Sequence, residues 1–284
     1  MPTVLITGTS TGIGLACTSH LAAKGWTVYA GVRRLSDAEQ VGALPGDVRP
    51  VICDVAEPEQ IADTVARISN EQGGRLDALV NNAGIATGGP VETMPIPDWR
   101  DLFEVNLFGP VALTREAFGL VRAAKGRFVF IGSISGRTSS PLLGAYSASK
   151  HALEAVAEAL LHEVAPFGVH VSLIEPGQTR TPMMDKGVDQ VDQITASLTA
   201  DEKDRYAGVL ASVEGFLRTP ADKMTDPAKV AAAVEHALTA RRPKARYLVG
   251  PDAKVAGHVI TRLPDVARTR VLALGLRQYA RTAR

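Results

Sequence analysis

An alternation constrains this chain more than any other feature. Short runs rich in β-branched residues stand at 3–7, 27–32, 48–53, 77–81, 127–131, 169–174 and 246–250, with stretches of helical length between them at 12–25, 57–73, 98–124, 145–165 and 226–240. Several of the runs are apolar almost throughout, as strands covered on both faces must be. Strands that alternate with helices predict βαβ units, and so an α/β architecture: a doubly wound parallel sheet of about seven strands flanked by helices. No linker rich in Pro, Gly or Ser and no internal repeat divides the 284 residues. A chain of this length can bury roughly three quarters of its unfolded surface as one unit, and a single domain is expected.

Composition serves mainly to exclude. With 45% hydrophobic and 21% charged residues, the chain is neither disordered nor a disulfide scaffold. Cys17 and Cys53 have no CxxC or Cys/His spacing, and the six histidines are scattered without an HExxH, so no metal site is expected. The chain opens almost at once on the strand-like TVLIT at 3–7 rather than on a basic and then apolar leader. No apolar run approaches the ~18 residues of a membrane span, and a cytoplasmic location is the expectation. The net charge of +1 hides an asymmetry: residues 241–284 carry eleven Lys/Arg against Asp252 and Asp265, a surplus of +9, which leaves the first 240 residues at −8.

The first strand runs into Thr7-Gly8-Thr9-Ser10-Thr11-Gly12-Ile13-Gly14 and then a helix. Glycines at such a turn let backbone approach a pyrophosphate, whose charge then meets the exposed N–H groups and positive end of the helix. The spacing is GxxxGxG rather than GxGxxG. Here the chain resembles the short-chain dehydrogenase/reductase family, whose fingerprint TGxxxGIG is matched in full by residues 7–14. The likeness continues through Asp54, Asn81-Asn82-Ala83-Gly84, Asn106, Ser133, the Tyr146/Lys150 pair and Pro176-Gly177. It implies a Rossmann-like fold, a nicotinamide dinucleotide cofactor, and contacts to that cofactor from Gly8, Ser10, Thr11, Gly12, Ile13 and Gly14.

An enzyme selective for NAD places a carboxylate after the second strand, about 20 residues beyond the glycines, to accept from the ribose 2′-OH. That carboxylate is absent, and VYAGV at 28–32 ends instead in Arg33 and Arg34, whose guanidinium forks suit a 2′-phosphate. NADP(H) is therefore expected in preference to NAD(H), with Ser10 and Thr11 as further hydroxyl donors. The resemblance also implies that Asp54, followed by Val55, lies at the adenine, that Asn82-Ala83-Gly84 lines the adenine ribose side, and that Pro176, Gly177, Thr179 and Thr181 face the nicotinamide and phosphates. For Asn81 and Asn82, bracing the central sheet is an equal reading.

Tyr146 and Lys150 stand four apart at the start of a helical stretch, so they share a helix face and the ammonium can lie near the phenol. A nearby positive charge favours phenolate, and the expectation is a lowered Tyr146 pKa suited to general acid or base work. Ser133 lies thirteen residues before Tyr146, beyond the apolar FVFI at 128–131, the serine-to-tyrosine separation of the family. Its hydroxyl suits a developing alkoxide. Asn106 sits in the Val-Asn-Leu setting in which the family uses a helical asparagine to hold a water near the lysine, which implies a proton relay. Asn106, Ser133, Tyr146 and Lys150 are thus the expected catalytic residues, with Tyr146 and Lys150 also touching the cofactor.

The organisation that follows is a catalytic domain over 1–250, with a substrate-loop insertion at 177–225, and a basic C-terminal extension of the same domain at 251–284. The insertion carries Met183, Met184, Tyr206, Leu210, Phe216 and Leu217, pointing to a lipophilic alcohol or ketone. The wording VYAGVRR, IEPG and RYLVGPDAK resembles the steroid and retinol dehydrogenase branch. The expected function is a reversible oxidoreductase acting on a CH–OH group, as a homodimer or homotetramer with a small-molecule partner and no nucleic acid. The alternative is a non-catalytic NADP(H)-binding sensor or scaffold, against which the retained Tyr146 and Lys150 speak. In the tail, Val255, Val259, Ile260, Leu263, Val266, Val271, Leu274 and Tyr279 recur among arginines. Capping of a pocket or subunit interface is favoured over peripheral membrane contact there.

Overall fold

The computed structural model describes the backbone of residues 1–282 and the side chains other than those of Val188 and 275–282. Seven strands, β1 (Thr3–Thr7), β2 (Thr27–Val32), β3 (Val48–Ile52), β4 (Ala78–Asn81), β5 (Arg127–Ile131), β6 (His170–Pro176) and β7 (Arg246–Val249), form one sheet in the order β3-β2-β1-β4-β5-β6-β7. Every pairing is parallel. The first three strands wind outward from β1 in one direction and the remaining four in the other. This reversal between β1 and β4 opens a crevice at the carboxyl ends of the strands, where an open α/β sheet takes its ligand.

Period-two alternation sorts the strand residues between two cores. Leu5, Leu79, Phe128 and Phe130 face the helices α3 (Pro58–Glu71), α5 (Gly109–Ala124) and α6 (Gly144–Val164), whose Ile61, Leu113, Val121 and Leu153 complete that core. Val4, Ile6, Val80, Val129 and Ile131 face the other way, onto α1 (Gly12–Ala23) and α9 (Pro227–Thr239), through Cys17, Leu21, Val230 and Val234. Cys17 and Cys53 are buried free thiols, pushed up to about 12 and about 11 by burial, and are packing residues.

The continuous helix expected over 98–124 is instead three pieces: α4 (Ile96–Phe103), a π-helical turn over Glu104–Phe108, and α5. Pro110 is the cause. It has no N–H to give the carbonyl four residues back, which is that of Asn106, and its ring would press on that carbonyl. Widening the turn relieves the conflict: the Gly109 N–H reaches the Glu104 carbonyl, one residue further back than in an α-helix.

The insertion at 177–225 holds two helices, α7 (Pro182–Ser197) and α8 (Ala200–Leu217). Thr199 and Glu202 close a capping box at the start of α8, a Thr-x-x-Glu signal legible in the sequence. A short helix α2 (Leu35–Gly42) follows β2, and α10 (Pro251–His258) and α11 (Asp265–Thr282) follow β7. The extension reaches back, since α11 lies along α8. Val255, Val259, Val266, Val271 and Leu274 are left exposed, and the side chain of Tyr279 lies outside those described. Among the described residues no helix is long and apolar enough to cross a membrane.

Phe128 is fully buried at the centre of the sheet and stacks on Phe118 with ring centroids 6.1 Å apart. Phe128→Ala is expected to cost about 3–5 kcal/mol, read as a lower denaturant midpoint at unchanged slope.

Candidate active site

The turn after β1 shapes a backbone cradle. Gly8 and Gly12 have φ of +67° and +58°, left-handed values that suit glycine. A Cβ on Gly8 would lie 2.8 Å from the Ala83 Cα, and one on Gly14 would overlap the Gly8 carbonyl oxygen. Thr11 caps α1 without a side-chain hydrogen bond, so the first N–H groups of the helix face the turn. Across the crevice, the position of a Gly12 Cβ is 3.1 Å from Thr181, so the glycine turn and the loop after β6 close on one another. Ser10 and Ile13 are half-buried and Thr11 is exposed in this turn. The cradle fits the pyrophosphate of a dinucleotide, because its walls are backbone and helix N-terminus.

The two arginines after β2 separate. Arg34 is forked onto Asp37 through Nε and Nη2, both at 3.0 Å, whereas Arg33 is exposed and has no acidic partner among the described residues. At the end of β3 the Asp54 carboxylate accepts from the Ala56 N–H at 3.1 Å, and its own N–H donates to Gln60. Val55 is buried, with Gly109 packed on its backbone. Asn82 braces: its amide donates to the Thr7 and Gly8 carbonyls at 2.8 and 3.0 Å. Asn82 and Ala83 also donate backbone N–H groups to the Thr7 hydroxyl. Asn81 bonds Thr114 behind the sheet.

Ser133 leaves the end of β5, and Tyr146 and Lys150 lie one turn apart on α6, as their spacing requires. Lys150 is buried, its Nζ 5.9 Å from the Tyr146 ring centroid and donating to the Ile131 carbonyl at 3.0 Å. Burial pulls the ammonium down to about 8. The phenol departs from expectation. Burial holds Tyr146 above its ordinary value, and what opposes this is a hydrogen bond with Ser133, not the lysine. Removing water from around a neutral phenol disfavours phenolate more than an ammonium across the ring favours it.

Asn106 stands inside the π-helical turn, fully enclosed. Its carboxamide brackets Ile85, accepting from the Ile85 N–H and donating to the Ile85 carbonyl, both at 2.9 Å, and it reaches Ser149 Oγ at 3.2 Å. A Cβ on Gly84 would lie 3.2 Å from Asn106 Oδ1 and 3.7 Å from Lys150 Nζ, so the two side chains meet over a glycine. Beyond β6, Pro176 ends the strand, Thr179 is buried with its hydroxyl on the Gly177 carbonyl, and Thr181 caps α7.

Tyr146 also belongs to an apolar cluster. Ile85, Met94, Trp99 and Phe103 pack with Tyr146. Leu142, Val191, Leu198, Leu210 and Val213 form a separate cluster beneath α7 and α8, with Tyr206 and Leu217 against it, whereas Met183 faces solvent. The roof is tied down where Gln190 donates to the Ala86 carbonyl at 2.9 Å and the Tyr206 hydroxyl to Glu92 at 2.7 Å.

Comparison with known proteins agrees with this geometry. The model of the short chain dehydrogenase family matches residues 2–192. The chain belongs to that family. It is 34% identical over 270 residues to an NADPH-dependent 3-dehydrocapnine reductase of Ornithobacterium rhinotracheale, covering 92% of each chain. It is 36% identical to 17-beta-hydroxysteroid dehydrogenase type 6 of Bos taurus, over 94% of this chain and 87% of that one. A short-chain dehydrogenase of Streptomyces avermitilis superposes with a TM-score of 0.78 at 32% identity, covering 99% of this chain and 97% of that one. As a short-chain dehydrogenase resembling the steroid and retinol branch, the protein is an oxidoreductase that acts on CH–OH groups with a nicotinamide cofactor and a small-molecule substrate.

Several supporting residues escape a reading by motif. Thr7 organises the β1/β4 junction, Ser149 meets Asn106, and Asp252 at the start of α10 accepts from the Gln178 N–H at 2.6 Å. Thr7 opens the matched fingerprint, but nothing in the string marks its hydroxyl as an acceptor. Among the described residues no group of three His, Cys, Asp or Glu is placed to hold a metal.

The buried ammonium has a testable consequence. The folded state releases the Lys150 proton near pH 8 and the unfolded chain near its ordinary 10.5. Between these values the unfolded state binds more protons, so this group's contribution to stability rises with pH. Lys150→Met is expected to lower turnover by at least about a hundredfold. It should also melt at or above wild type at pH 7, with the difference shrinking as the pH climbs through this window.

Proposed function

We propose that the protein is an NADP(H)-dependent oxidoreductase that interconverts a lipophilic secondary alcohol and its ketone, using Ser133, Tyr146 and Lys150. The observation that carries this reading is the meeting of Ser133, Tyr146 and a buried Lys150 at the sheet's carboxyl end, with Tyr146 in an apolar cluster that includes Ile85, Met94, Trp99 and Phe103. The NADPH dependence named for the bacterial reductase, and the unpaired Arg33 after β2, support the cofactor choice. A bound nicotinamide supplies the hydride in reduction and accepts it in oxidation.

The protein's own groups do the rest. Ser133 donates to the carbonyl oxygen as negative charge develops on it. Tyr146 gives that oxygen its phenolic proton in reduction and takes it back in oxidation. The raised phenol pKa keeps the proton on Tyr146 at neutral pH but opposes its transfer, and the Lys150 charge, still present below about 8, offsets this by lowering the cost of the phenolate left behind. Asn106 Oδ1 keeps one lone pair free beyond its bond from Ile85, which suits a water leading toward Lys150.

A panel of carbonyl and alcohol substrates followed by NADPH absorbance, with NADH in parallel, tests the reading. Tyr146→Phe is expected to abolish turnover while leaving NADPH affinity within about threefold. Unchanged turnover would reject the assignment.

The arginines give a separate expectation. Arg33→Ala should raise KM for NADPH about tenfold or more and leave NADH unaffected. Arg34→Ala should do less, because Arg34 is already held by Asp37. Equal rates with both cofactors in wild type would overturn the NADP(H) preference.

A further inference from the structure

Behind the reacting groups lies a set of charges that the chemistry does not use. Glu175, the residue before Pro176-Gly177, is fully buried inside β6. Arg246, which opens the neighbouring strand β7, hydrogen-bonds Glu175 through Nη1, and the same nitrogen donates to Glu154 at 2.8 Å. Glu154 lies on α6 one turn past Lys150, and so continues the Tyr146/Lys150 stripe of that helix. Arg137 lies four residues beyond Ser133, with Nη1 3.9 Å from Glu175 Oε2 and 3.4 Å from the Gly257 carbonyl on α10. A Cβ on Gly136 would lie 2.5 Å from Glu154 Oε1, so the backbone after Ser133 rests directly on this carboxylate. Glu154 Oε1 and Glu175 Oε2 make no hydrogen bond among the described residues. Burial accordingly holds Glu154 above its ordinary value although Arg246 opposes this.

Burying two carboxylates with imperfectly used oxygens costs free energy that an apolar core would not. The four side chains come from the segments that carry Ser133, Tyr146/Lys150 and Pro176-Gly177, and from the strand that begins the C-terminal region. We propose that Arg137, Glu154, Glu175 and Arg246 are positioning residues, an ion cluster that sets the mutual spacing of the Ser133 segment, the Tyr146/Lys150 helix and the loop facing the nicotinamide. Each acts through its segment and touches neither substrate nor cofactor. Displacements of about 1 Å between reacting groups cost roughly a hundredfold in rate, so such a clamp bears on turnover more than on affinity. The inference rests on the reading of Ser133, Tyr146 and Lys150 given above.

The test compares Arg246→Met, Arg246→Lys and the pair Glu175→Gln with Arg246→Met in the full-length enzyme. Arg246→Met takes from both Glu175 and Glu154 the nitrogen they share and should melt early; adding Glu175→Gln removes the fully buried charge, leaves Glu154 at its partly exposed site, and should restore most of the melting temperature. The expected result is that the pair, though again stable, stays at least about tenfold below wild type in kcat with KM for NADPH within about threefold. Arg246→Lys, which keeps the charge, should recover most of the rate. Turnover of the stable pair within twofold of wild type would overturn the proposal and leave the cluster a stabilising device only. If Arg246→Met does not fold, the pair alone carries the comparison. If wild-type protein turns over no substrate, that failure belongs to the functional reading. The cluster is then judged by the fluorescence emission of bound NADPH, expected to differ between wild type and the stable pair; identical emission overturns it.

Discussion

Everything at the active end depends on how the protein bridges the point where its sheet reverses direction. Loops leaving β1 and β4 part to opposite faces, which creates the crevice and would also leave it floppy. The Asn82 carboxamide and the Thr7 hydroxyl close it, sharing four hydrogen bonds between the end of β4 and the start of the glycine turn. With that junction held, Gly8 can press on Ala83, and Gly84 brings Asn106 and Lys150 together over a position with no side chain. The cradle and the meeting of Asn106 with Lys150 are therefore built from one set of contacts.

A second constraint is electrostatic. The site keeps an ammonium in a place that penalises its charge and a phenol in a place that penalises its ionisation. The two penalties work in opposite directions on the proton, drawing apart two groups whose ordinary values nearly coincide: the lysine moves down toward neutrality and the phenol further from it. A buried lysine near 8 is poised to lose or regain its proton under ordinary conditions, where a surface lysine is not.

Local pattern made much of this legible. The parallel sheet followed from apolar runs at regular intervals, and Tyr146 and Lys150 share a face because four residues make about one helical turn. The glycines at 8 and 14 stand where backbone must approach backbone, Gly12 faces the Thr181 side chain, and a Cβ at any of them meets a neighbour. The break at 104–108 was hidden, because Pro110 acts on a carbonyl four residues upstream and helical periodicity alone does not register it. The insertion read as a loop with apolar residues proved to be α7 and α8, although the Thr199/Glu202 capping signal was there to be seen.

What the sequence by itself determined is the set of elements and the chemistry they carry: the strand alternation, the phosphate turn, the Ser, Tyr and Lys spacing and the arginines after β2. These are read along the chain, since each is a spacing within one segment or between consecutive ones. Which of two adjacent arginines stays unpaired is local too, since Asp37 stands three residues after Arg34 in the first turn of α2, whereas the tertiary structure alone decided how completely Lys150 is enclosed. It also decided the direction of the Tyr146 shift, because burial is a property of everything packed around the phenol rather than of the lysine one turn away. The meeting of Glu154, Glu175 and Arg246 belongs to the same class. Residues far apart in the chain become neighbours only when β7 pairs with β6, and no sequence spacing records the energy of charges brought together that way.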